Sequence, residues 1–318
     1  MNVHRCAVAL IVIGSQTVAD DRLWADDTPD TIKELKQQIE QLDQKVRILE
    51  RNRELEKETA ASYAAGIFNG VGDARNSNNA DFEDDKEFAA RLFLQPLKKS
   101  DLSALKGSGF GAGGSYGDSS TANALPATTG GATAGYVTDG QQQFFAYRST
   151  VVASGKHWRF SPQGFYYYGP FGLLGEYVIS SQEVQTNALK TAELKNTAWQ
   201  ITGSWILTGE DASYKSVVPA HPFNPAGGQW GAIQLVARYA QLKIDSAAFP
   251  VFADPTVSAR SADAWSVGLN WYLNRNVLVK TSLSRTTFSG GGGSGTTAPS
   301  IETRQPENVL FTRVQLAF

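Results

Sequence analysis

Residues 309–318 read VLFTRVQLAF. In an extended chain Leu310, Thr312, Val314, Leu316 and Phe318 fall on one face, and Phe311, Arg313, Gln315 and Ala317 on the other. Chain termini usually fray, so a soluble domain seldom ends on an exposed apolar strand. A strand with one apolar face, closed by a terminal Phe, is how outer-membrane β-barrels end. Val314, Leu316 and Phe318 are therefore read as the signal for barrel-assembly machinery, and the fold as an all-β, antiparallel transmembrane barrel.

The bulk of the chain agrees. It has 318 residues, 30 Gly, 7 Trp, 11 Tyr and 16 Phe, which suits strands joined by many turns. A formal net charge of −2 gives no basic excess for nucleic acid. No apolar run reaches the roughly 20 residues that a membrane helix needs. Barrels escape that test, because only alternate residues of each strand face lipid.

The first 60 residues read differently from the rest. His4 and Arg5 precede the apolar stretch Cys6–Gly14, and small residues follow, as in a secretory signal over residues 1–25. Cys6 is the only cysteine, so a processed chain has no disulfide. Residues 26–60 read as a periplasmic helix. Its Ile32, Leu35, Ile39, Leu42, Val46 and Leu49 recur at spacings of 3 and 4, a coiled-coil seam with Ile/Val at a and Leu at d. The seam points to self-association.

Residues 61–318 read as the barrel. Ten strands are expected at 62–70, 86–97, 105–115, 156–168, 171–183, 195–207, 230–244, 262–273, 276–288 and 307–318. The clearest alternation is Trp199, Ile201, Gly203, Trp205, Leu207 against Gln200, Thr202, Ser204. Trp265, Val267, Leu269, Trp271, Leu273 repeat it. The long connections 71–85, 116–155, 184–194, 245–261 and 289–306 fall on one side and the tight turns on the other, as barrels require. The segment 208–229, with Pro219, Pro222 and Pro225, is long yet lies on the short-turn side and breaks the rule; folding into the lumen is one way to place it. Residues 107–140 and 289–298 are Gly/Ser/Thr/Ala-rich and read mainly as loops.

The same period assigns charges. A Lys or Arg facing lipid at mid-bilayer costs roughly 2–4 kcal/mol, so mid-strand cations should face the pore. Arg91, Arg159, Arg238, Lys280 and Arg313 all fall on wet faces, with Glu176 as the one clear inward acid. Rings of Arg or Lys are how pores select anions and phosphate. Lys243 and Arg285 fall on the lipid side near outer strand ends, where they can snorkel to headgroups. Other chemistry is poorly supported. Gly109, Gly111 and Gly114 match a dinucleotide fingerprint, but no helix follows. His4, His157 and His221 lack zinc spacing. No catalytic residue, metal or cofactor is expected.

Several long runs carry a family resemblance. SPQGFYYYGPFGLLGEYVISSQEV (161–184), AWQITGSWILTGEDASYKSVVPAHPFNP (198–225) and VGLNWYLNRNVLVK (267–280) resemble the phosphate-selective porins O and P. GIFNG (66–70), KEFAARLFLQPL (86–97) and ENVLFTRVQLAF (307–318) do so too. The resemblance implies a trimeric outer-membrane porin of about 16 strands, within the usual range for such barrels. It also implies passage of phosphate or polyphosphate past lumenal arginines, through a pore narrowed by inward-folded loops. The chain departs from that pattern by about six early strands, and barrel diameter grows with strand number, so a closed ten-stranded barrel would be narrow. The expected function is passive diffusion of inorganic anions across the outer membrane. The alternative is a non-transporting structural or tethering protein that works through its coiled coil.

Overall fold

The computed structural model of the protein describes residues 60–69, 86–120, 135–214, 216–293 and 303–316. The signal segment, the coiled-coil positions Ile32, Leu35, Ile39, Leu42, Val46 and Leu49, and Phe318 lie outside the described residues.

Among the described residues twelve strands follow one another along the chain. They are β1 (Ala61–Asn69), β2 (Lys86–Leu94), β3 (Ser108–Ser120), β4 (Tyr136–Val137), β5 (Gln143–Phe145) and β6 (Val151–Tyr168). Then come β7 (Phe171–Thr186), β8 (Thr191–Ile206), β9 (Ala232–Lys243), β10 (Ala259–Tyr272), β11 (Val277–Gly290) and β12 (Glu307–Leu316). Ten of these pair in the order β1-β2-β3-β6-β7-β8-β9-β10-β11-β12, and β4 with β5 forms a separate hairpin. All ten expected strands are present, and every pairing among them is antiparallel.

Alternation decides which face each strand shows. Tyr177 lies opposite Trp199, and Tyr239 opposite Trp265, all on the outward face. The Trp199 and Tyr239 rings are 5.4 Å apart. Six residues further along the strands, Phe171 and Trp205 stack at 6.0 Å on the same face. Aliphatic side chains such as Leu173, Ile201, Leu235 and Val267 lie between these two aromatic levels and remain exposed. An apolar band between aromatic belts is the surface of a sheet that faces lipid.

The inner face holds two small cores instead of one continuous core. Near the long-loop end, Phe144, Phe145 and Tyr147 of the hairpin and its exit pack with Val184, Leu194, Phe252 and Phe288. Phe145 is fully buried, and burial of such a side chain contributes roughly 1.5–3 kcal/mol. The hairpin tip is a three-residue loop, closed by Thr138 N–H donating to Gln142 O at 2.9 Å, with Gln141 in the left-handed region at φ 66. A Cβ at Gly140 would displace the side-chain ends of Glu307 and Val309 of β12. Near the short-turn end, Val217 and Ala212 pack on Ile206, Ala232 and Tyr272, and Tyr214 stacks on Phe165 at 4.9 Å. The segment 208–229 therefore folds onto the inner face at Ala212, Tyr214 and Val217. It returns to β9 through Gly231 (φ 73), where any Cβ would strike the Tyr272 carbonyl.

Three expectations need correction. The connection expected at 184–194 is a four-residue turn, 187–190, because β7 and β8 run further outward. The region 116–155 is not wholly loop: β3 reaches Ser120, β6 begins at Val151, and the hairpin between them turns inward. Most important, the sheet is open. Among the described residues β1 and β12 each pair on one side only, so this chain does not close a ten-stranded barrel. The inner face carries a hairpin at one end and a folded connection at the other.

Candidate anion pathway on the inner face

The register places all five expected cations on one face. Arg91 lies opposite Gly113, and Arg159 opposite Ser115 and Ser180. Arg238 lies opposite Thr202 and Ser266, and Lys280 directly opposite Arg313. Their neighbours in the strip include the neutral polar groups Gln163, Gln200, Ser282 and Asn270, with the acid Glu176 between the two glutamines.

The partners of these cations differ. Arg159 Nη1 donates to Glu87 Oε1 at 2.6 Å, with His157 Nε2 at 3.6 Å from the other carboxylate oxygen. Arg238 pairs with Asp139 of the hairpin tip, and Ser284 donates to the same carboxylate at 3.3 Å. Arg91 donates to the neutral amide oxygen of Gln163 at 3.2 Å, and its guanidinium lies 5.2 Å from the Phe93 ring centroid. Arg313 donates to Gln315 at 2.8 Å. Among the described residues, no acid lies within ion-pair distance of Arg91, Lys280 or Arg313.

Glu176 is not the sole acid on this face. Glu87 and Glu307 share it by register, and the hairpin delivers Asp139. The acids are unevenly spread. Glu87 and Asp139 each engage a cation, and Glu307 is buried with its carboxylate against Gly140 of the hairpin tip. Glu176 accepts from Ser161 at 2.8 Å and Gln200 at 3.0 Å, both neutral. Those bonds hold it to the wall at the point where Pro162 interrupts the β6–β7 ladder. A cavity of about 230 Å³ lies under the hairpin, lined in part by Asp139, Glu176, Gln200 and Thr286.

Glu87 was legible in the sequence, since it precedes Arg91 by four residues and shares its face. Asp139 was signalled only by the Asp139-Gly140 pair typical of hairpin tips. Val314 and Leu316 sit where alternation put them, outward on β12 and exposed.

Comparison with known families settles the lineage. The family model for phosphate-selective porin O and P matches residues 52–288. The chain belongs to that family. No curated protein matches the chain. Membership makes this a chain of the outer-membrane porin class, a channel class and not an enzyme class. Among the described residues no helix is long and apolar enough to cross a membrane, which says nothing about crossing by strands.

Proposed function

We propose that this porin-family chain conducts inorganic anions, phosphate or polyphosphate among them, along the cationic strip of its inner face. One observation carries the reading: Lys280 and Arg313 face each other across β11 and β12 with no acid in reach among the described residues. Two cations side by side repel each other, so the arrangement is favourable only where a mobile anion or water solvates them. Arg suits phosphate because its planar fork makes two-point contacts with oxyanions. Arg91, with only a neutral acceptor, extends the strip; Arg159 and Arg238 are partly neutralised and shape its outer end. Val314, Leu316 and Phe318 serve assembly into the outer membrane, and residues 31–59 serve association in the periplasm.

The experiment is the reversal potential of the refolded protein in a planar bilayer under a potassium chloride gradient. Anion preference supports the reading, and cation preference overturns it. The open sheet favours a second reading, a tethering protein that uses its N-terminal helix. Deletion of 31–59 separates the two: a pore keeps its unit conductance, whereas a tether has none to keep.

A further inference from the structure

We propose that the cavity beneath the hairpin is a binding site for a small organic cation, a primary ammonium ion on a short apolar chain. The ammonium sits on Glu176 and the chain lies under Phe144. The site is additional to the anion pathway and does not depend on its selectivity.

The residues of the wall create the space. Two neighbouring rows of inward side chains cross the sheet under the hairpin. Val178, Ala198, Leu242 and Ala262 form one row, and Glu176, Gln200, Ala240, Ala264 and Thr286 form the other. Four of these nine residues are alanines, and all four line the cavity. An alanine side chain stops at Cβ, so it leaves a gap that a leucine would close. About 230 Å³ stays open there. An apolar cavity of about 150 Å³ takes benzene, so this one has room for a chain of about four to six carbons.

The roof is held in place independently of any ligand. Phe144 is buried, and its ring lies 5.8 Å from that of Phe288. Asp139 pins the hairpin tip to Arg238, and Asn196 Nδ2 donates to the Tyr136 hydroxyl at 3.0 Å behind it. A site that is already formed loses little freedom when a ligand enters.

The lining selects the ligand. Val137 and Phe144 above, and Val178 and Leu242 below, give it apolar surfaces. Two carboxylates open into the same space, Asp139 and Glu176. Asp139 is matched by Arg238. Glu176 takes one bond on each oxygen, from the Ser161 hydroxyl at 2.8 Å and the Gln200 amide at 3.0 Å. Both donors are neutral, so these bonds orient the carboxylate and leave its charge in place. An ionised carboxylate offers about four acceptor positions, so an ammonium group, which has only donors, can join the two bonds already made. The acids disfavour an anion in this cavity. A neutral alcohol gains the apolar contacts without the charge, and a bare inorganic cation gains the charge without the apolar contacts. A cation with a short apolar chain matches both.

Isothermal titration calorimetry of the refolded full chain in detergent tests this. The titrants are n-butylammonium chloride, 1-butanol and ammonium chloride, each run against empty micelles as the blank. The expected result is saturable binding of n-butylammonium, with the other two at least about tenfold weaker, because the charged hydrogen bond and the buried chain each contribute that much. Glu176→Gln should weaken n-butylammonium by about the same tenfold and leave 1-butanol unchanged. Ala264→Leu should abolish binding of both. Ala240→Val makes the same test with a smaller side chain, and proteolysis at 135–148 reports whether the hairpin stays seated in each variant. No saturable binding of n-butylammonium to the wild type overturns the proposal. So does equal affinity in Glu176→Gln, or undiminished binding in both cavity-filling variants. Calorimetry reads no current, so its failure leaves the anion pathway untouched, and a cation-preferring pore leaves this site standing.

Discussion

Neutralising the hairpin acid should make the pore more selective for anions. In Asp139→Asn the side chain keeps an oxygen for the Ser284 hydroxyl, so the tip stays seated while its charge is removed. Arg238 then faces the lumen uncompensated. Both side chains of the pair are about a third exposed, 33% and 38%, so water screens them and the high-dielectric limit applies. A unit charge at 4 Å in water is worth about 1 kcal/mol, which is about fivefold in local anion occupancy. The anion-to-cation permeability ratio should therefore rise about fivefold in dilute salt. In 1 M salt, where the Debye length is about 3 Å, most of the gain should vanish. Reversal potentials in shallow gradients at 20 mM and 1 M potassium chloride measure both. An unchanged or lower ratio in dilute salt would refute the claim that Asp139 cancels a lumen-facing charge.

Further expectations can be checked on the same protein. Lys280→Gln and Arg313→Gln should each lower anion preference, and the second should lower it less once the first is made, because the two charges act on one site. Leu194 is fully buried under the hairpin, and Leu194→Ala should cost about 2–5 kcal/mol of its anchoring, read as faster proteolysis at 135–148. Asp254, in the long loop before β10, has its carboxyl held below the ordinary aspartate range by the Thr256 hydroxyl and amide, and then by Arg148. A depressed pKa stabilises the loop above the unfolded value near 3.8, and that stability is lost as pH falls through the folded value. The protection factor of the Thr256 amide against hydrogen exchange should therefore fall in acid, and in Asp254→Ala it should be low already at pH 7.

Strand phase was legible because lipid imposes it: a sheet wetted on one side and greasy on the other leaves a two-residue period in Trp199–Leu207 and Trp265–Leu273. The same rule put Arg91, Arg159, Arg238, Lys280 and Arg313 on one face with no knowledge of their neighbours. What it could not give was the partner of each cation. Asp139 arrives from a hairpin whose strands are two and three residues long, too short to leave a period, beside a Gly- and Thr-rich stretch that reads as loop. The inward fold of 208–229 was only one possibility left by a long connection on the short-turn side, since its anchors Ala212 and Val217 are small, scattered residues. Closure was illegible for a different reason: alternation along a strand carries no record of whether the first and last strands pair.

The most direct test of the anion pathway is the chloride current of the wild-type protein in a planar bilayer as phosphate is added to both sides. The account predicts a saturable fall in chloride current, as phosphate occupies the Lys280–Arg313 strip, and a markedly weaker response in the Lys280→Gln/Arg313→Gln double variant. A chloride current indifferent to phosphate, or equally blocked in wild type and double variant, would contradict it.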